Sequence, residues 1–377
     1  MGLVHNHEFW MAQALQLARQ GLYSAHPNPR VGCVIVRDDD LIAQGFHAFA
    51  GGPHAEINAL NQLNGDASGA TVYVTLEPCS HTGKTPPCVD ALLQARPAKV
   101  VIAMQDPNPL VSGRGIEKLT QHGVEVIVDV LAAQAAELNA GFIKRMQHKL
   151  PWVRLKMAMS MDGRTALSNG LSQWISGPES RQDVQLLRAS SSAILSTAKT
   201  ILRDDAALNV RLSREQLKQA VEVRQPVRVI IDNQLRLTGK EKLFELKGDI
   251  WVFTSQQDDV LLRNFKKSAT TRIFSISPDA KGKVDLLQLL QRLAELEINE
   301  VHTECGATLS GALIQQGLVD ELIVYMAPDL LGDQAQGLFD LGEISIMSDK
   351  VQLSISDVRM IGRDIKICAK PQSTCLR

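Results

Sequence analysis

The sequence predicts a two-domain α/β protein, on three observations. Short apolar segments of strand length alternate with amphipathic helical segments along most of the chain, the pattern of layered α/β domains. At 377 residues and 45% hydrophobic content, the chain is too long for one ordinary domain and apolar enough for two cores. Its chemistry-bearing residues form two separate groups, one in each half.

The elements follow in order. Residues 8–20 read as an amphipathic helix with Trp10, Met11, Ala14, Leu15 and Ala18 on one face. His26-Pro27-Asn28-Pro29 breaks it. Val31 to Val36 and Leu41 to Phe46 are strands joined by the acidic turn Arg37-Asp38-Asp39-Asp40. Pro53 precedes a helix beginning at His54 and running to about Leu63. Thr71 to Leu76 is a strand ending at Glu77-Pro78-Cys79, and Pro86-Pro87 precedes a helix from about Cys88 to Gln94. Lys99 to Met104 and Val124 to Val128 are strands with a helix, Gly115 to His122, between them. Leu131 to Gln147 is a helix with a basic end at Lys144, Arg145, His148 and Lys149.

Pro151 restarts the chain as a strand, Trp152 to Met159, which places a domain boundary at 148–151. Beyond it the pattern predicts a helix over 178–190 and strands over 192–197, 226–232, 249–254 and 271–276. There follow a helix over 285–296, a strand over 300–304, a helix over 308–316, a strand over 321–327 and a closing pair near 350–358 and 363–369. Gln216 to Gln225 and Asp279 to Lys283 are polar connectors, and there is no internal repeat. The expected domains are 1–148 and 151–370, with 371–377 as a tail.

Charge and cysteine usage exclude several classes. With 40 basic and 41 acidic residues and a net charge of −1, the chain lacks the basic footprint of a long nucleic-acid binder or of a protein held to an anionic membrane. The start of the chain has no apolar signal core, Asn6 stands where a myristoylation motif wants Ser or Thr, and no apolar run reaches the ~20 residues of a membrane span. Cys33, Cys305, Cys368 and Cys375 lack the spacing of a disulfide framework, so a reducing cytoplasm is the expected location.

The strongest motif is His54-Ala55-Glu56 with Glu77-Pro78-Cys79 and Pro86-Pro87-Cys88. One imidazole and two thiolates suit a tetrahedral zinc with one position left for water. Zinc lowers the pKa of such a water to about 7, and Glu56, two residues from His54, is placed to carry its proton. His54 and Cys88 each fall in a first helical turn, where the positive dipole end favours thiolate. This H-x-E…P-C…C order is that of zinc-dependent base deaminases. Those that act on nucleic acid space the cysteines C-x-x-C, whereas eight residues separate Cys79 from Cys88 here. A structural zinc is the competing reading; it needs a fourth protein ligand, for which His81 is the candidate.

In the second half, Thr303-Glu304-Cys305-Gly306-Ala307-Thr308-Leu309-Ser310-Gly311 follows a strand and opens a helix, as an anion cradle does. A plain capped βα turn looks the same, and the run is not a G-x-G-x-x-G fingerprint. Arg188 and Arg211 are ordinarily solvated charges; binding a phosphate is the sharper reading.

The chain as a whole resembles the bifunctional riboflavin-biosynthesis deaminase/reductases. The first half carries His26-Pro27-Asn28-Pro29-Arg30-Val31-Gly32, Pro53-His54-Ala55-Glu56, the Glu77-to-Cys88 run and Met104-Gln105-Asp106-Pro107-Asn108-Pro109. The second carries Leu155-Lys156, Ser160-Met161-Asp162-Gly163-Arg164, Ser172-Gln173-Trp174-Ile175, Asp183-Val184-Gln185-Leu186-Leu187-Arg188 and Val319-Asp320-Glu321-Leu322. The resemblance runs from about residue 7 to 370. It departs from the family at Ala206, where Pro is common, and at Cys305, where a small residue is common.

The resemblance implies a cytidine-deaminase-like three-layer domain followed by a dihydrofolate-reductase-like domain, with one zinc in the first and NADPH in the second. It implies a small phosphorylated substrate, a diaminohydroxypyrimidine with a phosphoribosylamino group. That substrate loses its 2-amino group as ammonia, and the ribosyl group is then reduced to ribityl. Zinc is implied on His54, Cys79 and Cys88, and proton transfer on Glu56. The implied substrate contacts are Asn28, His47 and Lys84 in the first half, and Ser172, Arg188, Leu208, Arg211 and Glu304 in the second. The implied cofactor contacts are Ala158, Trp174, Thr200, Asp204, Asn233, Gly306, Ala307, Thr308, Leu309, Ser310, Gly311 and Ala312. Lys156 is the candidate proton donor of the reduction. A homo-oligomer is compatible with the sequence.

Two other readings are open. A nucleoside or tRNA base deaminase with an accessory nucleotide-binding domain is disfavoured by the near-zero charge and the long cysteine spacing. A zinc-stabilised binding module without catalysis is disfavoured by the intact Glu56.

Overall fold

The computed structural model describes residues 5–80, 86–109, 111–218, 222–257 and 270–372. Its contacts divide the chain into two units: Met1–Leu150 with Lys218–Glu222, and Pro151–Leu217 with Val223–Arg377.

In the first unit, helix α1 (His7–Arg19) starts at Asn6, whose side chain accepts from the Phe9 N–H at 2.9 Å. Five strands follow: β1 (Gly32–Arg37), β2 (Asp40–Phe46), β3 (Thr71–Val74), β4 (Lys99–Ile102) and β5 (Glu125–Ile127). They form one sheet in the order β2-β1-β3-β4-β5, antiparallel at the β2-β1-β3 end and parallel through β3-β4-β5. Strand alternation sends Cys33, Ile35, Val72, Val74, Val100 and Ile102 to one face, under helices α2 (Ala55–Leu60), α3 (Cys88–Ala95) and α4 (Arg114–Gln121). Val34, Val36, Tyr73 and Val101 go to the other face, under α1 and α5 (Ala132–Leu138). The result is three layers, with the sheet in the middle.

Two local expectations change. His54 is the cap of α2 rather than its first residue, and α2 ends at Leu60 before one 3₁₀ turn, Asn61–Leu63. The helix expected over 131–147 is two helices, α5 and α6 (Ala140–His148), broken at Asn139. Asn139 is 2% exposed. Its side chain accepts from the Arg30 N–H at 2.8 Å and donates to the Arg30 carbonyl at 3.0 Å. Two buried hydrogen bonds to a distant segment outweigh helical continuity.

The second unit is built on a nine-stranded sheet, β11-β10-β9-β8-β12-β6-β13-β16-β15. The strands are β6 (Trp152–Ser160), β8 (Ala193–Thr197), β9 (Val227–Ile231), β10 (Ile250–Thr254), β11 (Thr271–Ser275), β12 (Glu300–Glu304), β13 (Glu321–Ala327), β15 (Leu353–Ile361) and β16 (Asp364–Pro371). The sheet is parallel from β11 to β13; β16 runs antiparallel to both its neighbours, β13 and β15, so it alone is reversed. Helices α7 (Pro178–Ser190), α9 (Leu286–Glu295) and α10 (Ala307–Gln315) match the expected positions. Among the described residues, elements not anticipated include α8 (Ala198–Asp204), started by the Thr197 side chain, and a small ladder of β7 (Arg164–Ala166) with β14 (Gln336–Gly337). β16 runs one residue past the expected domain end at 370, and Gln372 still donates to the Gln352 carbonyl. Residues 373–377 of the expected tail lie outside the described residues.

Candidate active sites

The first site lies beyond the end of β3, where the chain turns out of the sheet at Glu77-Pro78-Cys79. The ligand atoms of His54, Cys79 and Cys88 lie within 4.8 Å of one another. His54 Nδ1 is 3.1 Å from Cys88 Sγ and 3.6 Å from Cys79 Sγ. Gly45 makes this placement possible: a Cβ there would stand 2.5 Å from the Ala55 carbonyl oxygen, so only glycine lets α2 rest directly on β2. Cys88 opens α3, and its N–H donates to Cys79 Sγ at 3.3 Å. The Cys88 thiol, then His54 and that backbone contact, push the Cys79 thiol down to about 4 against the cost of burial; Cys88 is raised by the same pairing of sulfurs. Two sulfurs and one imidazole nitrogen converging on one point are a donor set that fits zinc.

Glu56 is 3% exposed in the first turn of α2, and burial raises its carboxyl pKa. His47 is 2% exposed, and burial lowers its pKa, which keeps the ring neutral. Its Nδ1 is 3.0 Å from the Pro53 carbonyl, an acceptor only, so Nδ1 carries the proton and Nε2 accepts from the Asn28 amide at 3.0 Å. The His47 and His54 rings stand edge to face with centroids 5.4 Å apart. Asn28, His47, His54 and Glu56 are thus gathered on one side of the sheet. A cavity of about 390 Å³ borders His54, Ile57, Pro86, Asp90 and Gln94. Lys84 and the candidate fourth ligand His81 lie outside the described residues.

Glu77, part of the zinc motif in sequence, has a role only the fold reveals. It is 3% exposed, and both its oxygens accept backbone N–H groups from the segment after β4. Its position directly before Pro78-Cys79 was the available signal.

The second site lies at the carboxyl ends of the parallel strands, the usual binding edge of such sheets. Glu304 ends β12 and takes Arg188 in a two-point pair, Nε to Oε1 at 2.6 Å and Nη2 to Oε2 at 2.9 Å. Arg188 also donates to the Asn209 carbonyl, whereas Arg211 is exposed with no ion pair among the described residues. The two arginines are therefore unlike: Arg188 is committed to Glu304, and Arg211 is the available cation. The Glu304 carboxyl is held well below its usual range against the cost of burial, chiefly by Arg188. Lys156 lies across from Glu304 in the β6–β12 register, and burial lowers its pKa.

The cofactor candidates divide. Gly306 is exposed, and nothing lies within 4 Å of where its Cβ would be, so the start of α10 is open to a ligand. Ala307, Thr308 and Leu309 share that first turn. Ser310 instead faces inward to Cys305, Met157 and the Gly306 carbonyl, and Gly311 is needed for packing, since its Cβ would fall 2.0 Å from the Asp340 carbonyl oxygen. Ala312 follows in the same helix. Trp174 is 69% exposed with Arg181 over its ring. Arg203 links Ser172 Oγ at 2.8 Å with Asp204 Oδ1 at 3.4 Å. Thr200 sits on the Thr197 cap, and Asn233 Oδ1 accepts from Val284. Ala158 lies partly buried on β6, and the Leu208 side chain is absorbed in the core with Ile201 and Ile230.

Comparisons with known proteins match separate families to the two halves of the chain. Residues 151–367 match the RibD C-terminal domain, and residues 4–104 match the cytidine and deoxycytidylate deaminase zinc-binding region. The riboflavin biosynthesis protein RibD of Escherichia coli is 47% identical over 95% of this chain and 97% of that protein. Its counterpart in Haemophilus influenzae is 46% identical over 96% and 97%. The solved structure of Acinetobacter baumannii RibD superposes with a TM-score of 0.88 at 44% identity, covering 97% of this chain and 99% of that one. A Thermotoga maritima protein described as a diaminohydroxyphosphoribosylaminopyrimidine deaminase and 5-amino-6-(5-phosphoribosylamino)uracil reductase gives 0.85 at 34%, covering 97% and 98%. With one family model spanning the second unit and close relatives matching nearly end to end, the chain belongs to the RibD family, the two-part deaminase and reductase enzymes of riboflavin biosynthesis.

Proposed function

We propose that the first unit deaminates the diaminohydroxypyrimidine bearing a phosphoribosylamino group, and that the second reduces the ribosyl group of the resulting uracil to ribityl with NADPH. The observation that carries this is the convergence of His54, Cys79 and Cys88 beside the buried carboxylate of Glu56. Those three residues hold zinc, which when bound acts as a Lewis acid that makes water reactive near neutral pH. Glu56 takes a proton from the attacking water and returns it to the departing amine; burial raises its pKa toward the range where both transfers are efficient. Neutral His47 holds the Asn28 amide by its N–H side, which leaves the Asn28 oxygen to accept from the pyrimidine. Lys84 completes the substrate contacts.

In the second unit NADPH supplies the hydride. The open turn from Gly306 to Leu309 would hold its phosphates on backbone N–H groups, and Trp174, Thr200, Asp204, Asn233 and Ala158 would complete its contacts. Ser310 and Gly311 support that turn from behind, and Ala312 follows them in the same helix. Arg211 meets the substrate phosphate, the Arg188–Glu304 pair presents a fixed carboxylate to the sugar, and Ser172 and the Leu208 backbone flank it. Lys156, its ammonium weakened by burial, gives the proton that accompanies reduction. The expected domains are 1–148 for the deaminase and 151–370 for the reductase, in a cytoplasmic protein that self-associates through the apolar edge strand β15.

The purified protein incubated with the diaminopyrimidine phosphate should release ammonia without NADPH and yield the ribityl product only with it, as read by mass. An unchanged substrate in both incubations would overturn the reading.

A further inference from the structure

Glu77 and the segment 105–116 share a geometry that the reaction as described does not use. Glu77 Oε2 accepts from the Asp106 N–H at 3.1 Å and the Gly113 N–H at 2.9 Å. Oε1 accepts from the Gly115 N–H at 2.9 Å and the Ile116 N–H at 3.3 Å. Gly113 is the cap of α4, so one carboxylate satisfies donors that the first turn of that helix cannot satisfy itself, where the helix dipole also favours negative charge. The contact is tight: a Cβ on Gly115 would stand 2.3 Å from the Pro78 carbonyl oxygen. Asp106 is 7% exposed, and its carboxylate is turned back to the Asn108 N–H at 2.8 Å. Burial, then the charge of Glu77, pushes that carboxyl up to about 6. The Glu77 N–H donates to the Met104 carbonyl at 3.0 Å, so the segment leaves β4 directly beside the turn that bears Cys79. The same carboxylate therefore ties the turn that bears Cys79 to the segment that bears Asp106.

Resting on the deaminase reading, we propose that Glu77 is a positioning residue for the deamination: it holds the segment 105–116, Leu110 aside, against the Glu77-Pro78-Cys79 turn so that this segment forms one wall of the pyrimidine site. Glu77 touches neither substrate nor the reacting atoms. It acts through the four N–H groups it gathers.

The test is Glu77→Gln in the full chain. The carboxamide keeps the shape but turns an NH₂ toward two of the four donors. Losing at least one charge-assisted hydrogen bond should raise KM for the pyrimidine in deamination by about tenfold while kcat stays within about threefold. Zinc content and the reductase activity of the same preparation should be unchanged. In zinc-free protein, the amides of Asp106, Gly113, Gly115 and Ile116 should exchange hydrogen about tenfold faster or more. Gly115→Ala, which pushes the same contact apart with Glu77 intact, should reproduce the KM and exchange effects; it decides the matter if the glutamine variant is insoluble. Wild-type KM with wild-type exchange overturns the proposal, and so does loss of zinc with a proportional fall in kcat, which would make Glu77 a support of the ligands alone. If the wild type itself does not deaminate, the functional reading fails, and the exchange measurement still judges the clamp.

Discussion

At the scale of single residues, the deaminase site separates holding a metal from moving a proton. His54, Cys79 and Cys88 present ligand atoms to one point, while Glu56 is buried beside them with its pKa raised by desolvation. Glu56→Gln should retain about one zinc per chain and lose deamination by roughly 10²–10⁴-fold, the range for general acid–base catalysis. Cys88→Ser should instead lose the zinc itself, because a thiolate ligand becomes a weak hydroxyl. Metal analysis and ammonia release on the two variants distinguish the roles; a glutamine variant with normal turnover would exclude Glu56. That His54, Cys79 and Cys88 belong together was legible in the sequence, because their motif is local. Glu77's partners were not, since they lie 29 to 39 residues away and meet it only through the fold.

Individual elements show where periodicity misleads. The apolar pattern over 131–147 reads as one helix because its period is helical on both sides of Asn139. The interruption comes from Arg30, more than a hundred residues earlier. Asn139→Ala should cost about 1–3 kcal/mol, since two buried backbone groups of Arg30 lose their partners; denaturant unfolding of the first unit measures it. The turn at the start of α10 makes the opposite kind of test. Because nothing occupies the space a Cβ would take at Gly306, Gly306→Val should leave the fold intact and raise the apparent constant for NADPH by blocking backbone approach. Arg211→Ala should weaken the phosphorylated substrate by about tenfold or more, as a lost charge-assisted contact does, with cofactor binding nearly unchanged. Steady-state kinetics with each ligand varied in turn separates the two, and deamination should survive both. If Arg211→Ala abolished NADPH binding while substrate affinity held, the two assignments would be reversed.

At the scale of the whole chain, the two units carry separate cores and separate chemistry. Residues 1–148 alone should bind zinc and deaminate, and residues 149–377 should bind NADPH, as read by metal analysis and by cofactor fluorescence. A soluble first fragment that lacked deamination would show that its site needs the second unit. β15 is the outer strand of the nine-stranded sheet and leaves Ile355 63%, Val358 58% and Met360 60% exposed, an apolar edge of the kind that pairs with another chain. The double change Ile355→Lys and Met360→Lys should lower the molar mass seen by light scattering toward that of one chain. A wild type that is already monomeric at micromolar concentration would refute self-association. No helix among the described residues is long and apolar enough to cross a membrane.

The sequence alone established the α/β class and most strands and helices, and pointed to the candidate zinc ligands and a division near residue 150. Each of these is written locally, in strand-length apolar runs, helical periodicity, proline breaks and a metal motif spanning 35 residues. The tertiary structure alone decided which charges are free. Arg188 and Arg211 are alike as letters, but the β12 carboxylate of Glu304 occupies the first and leaves the second open. It also decided that Leu208 and Ser310 face the interior, that Asn139 interrupts a helix, and that Glu77 gathers four distant amides. All of these depend on contacts between segments far apart in the chain, where burial makes an unmet hydrogen bond or an unpaired charge costlier than any local preference.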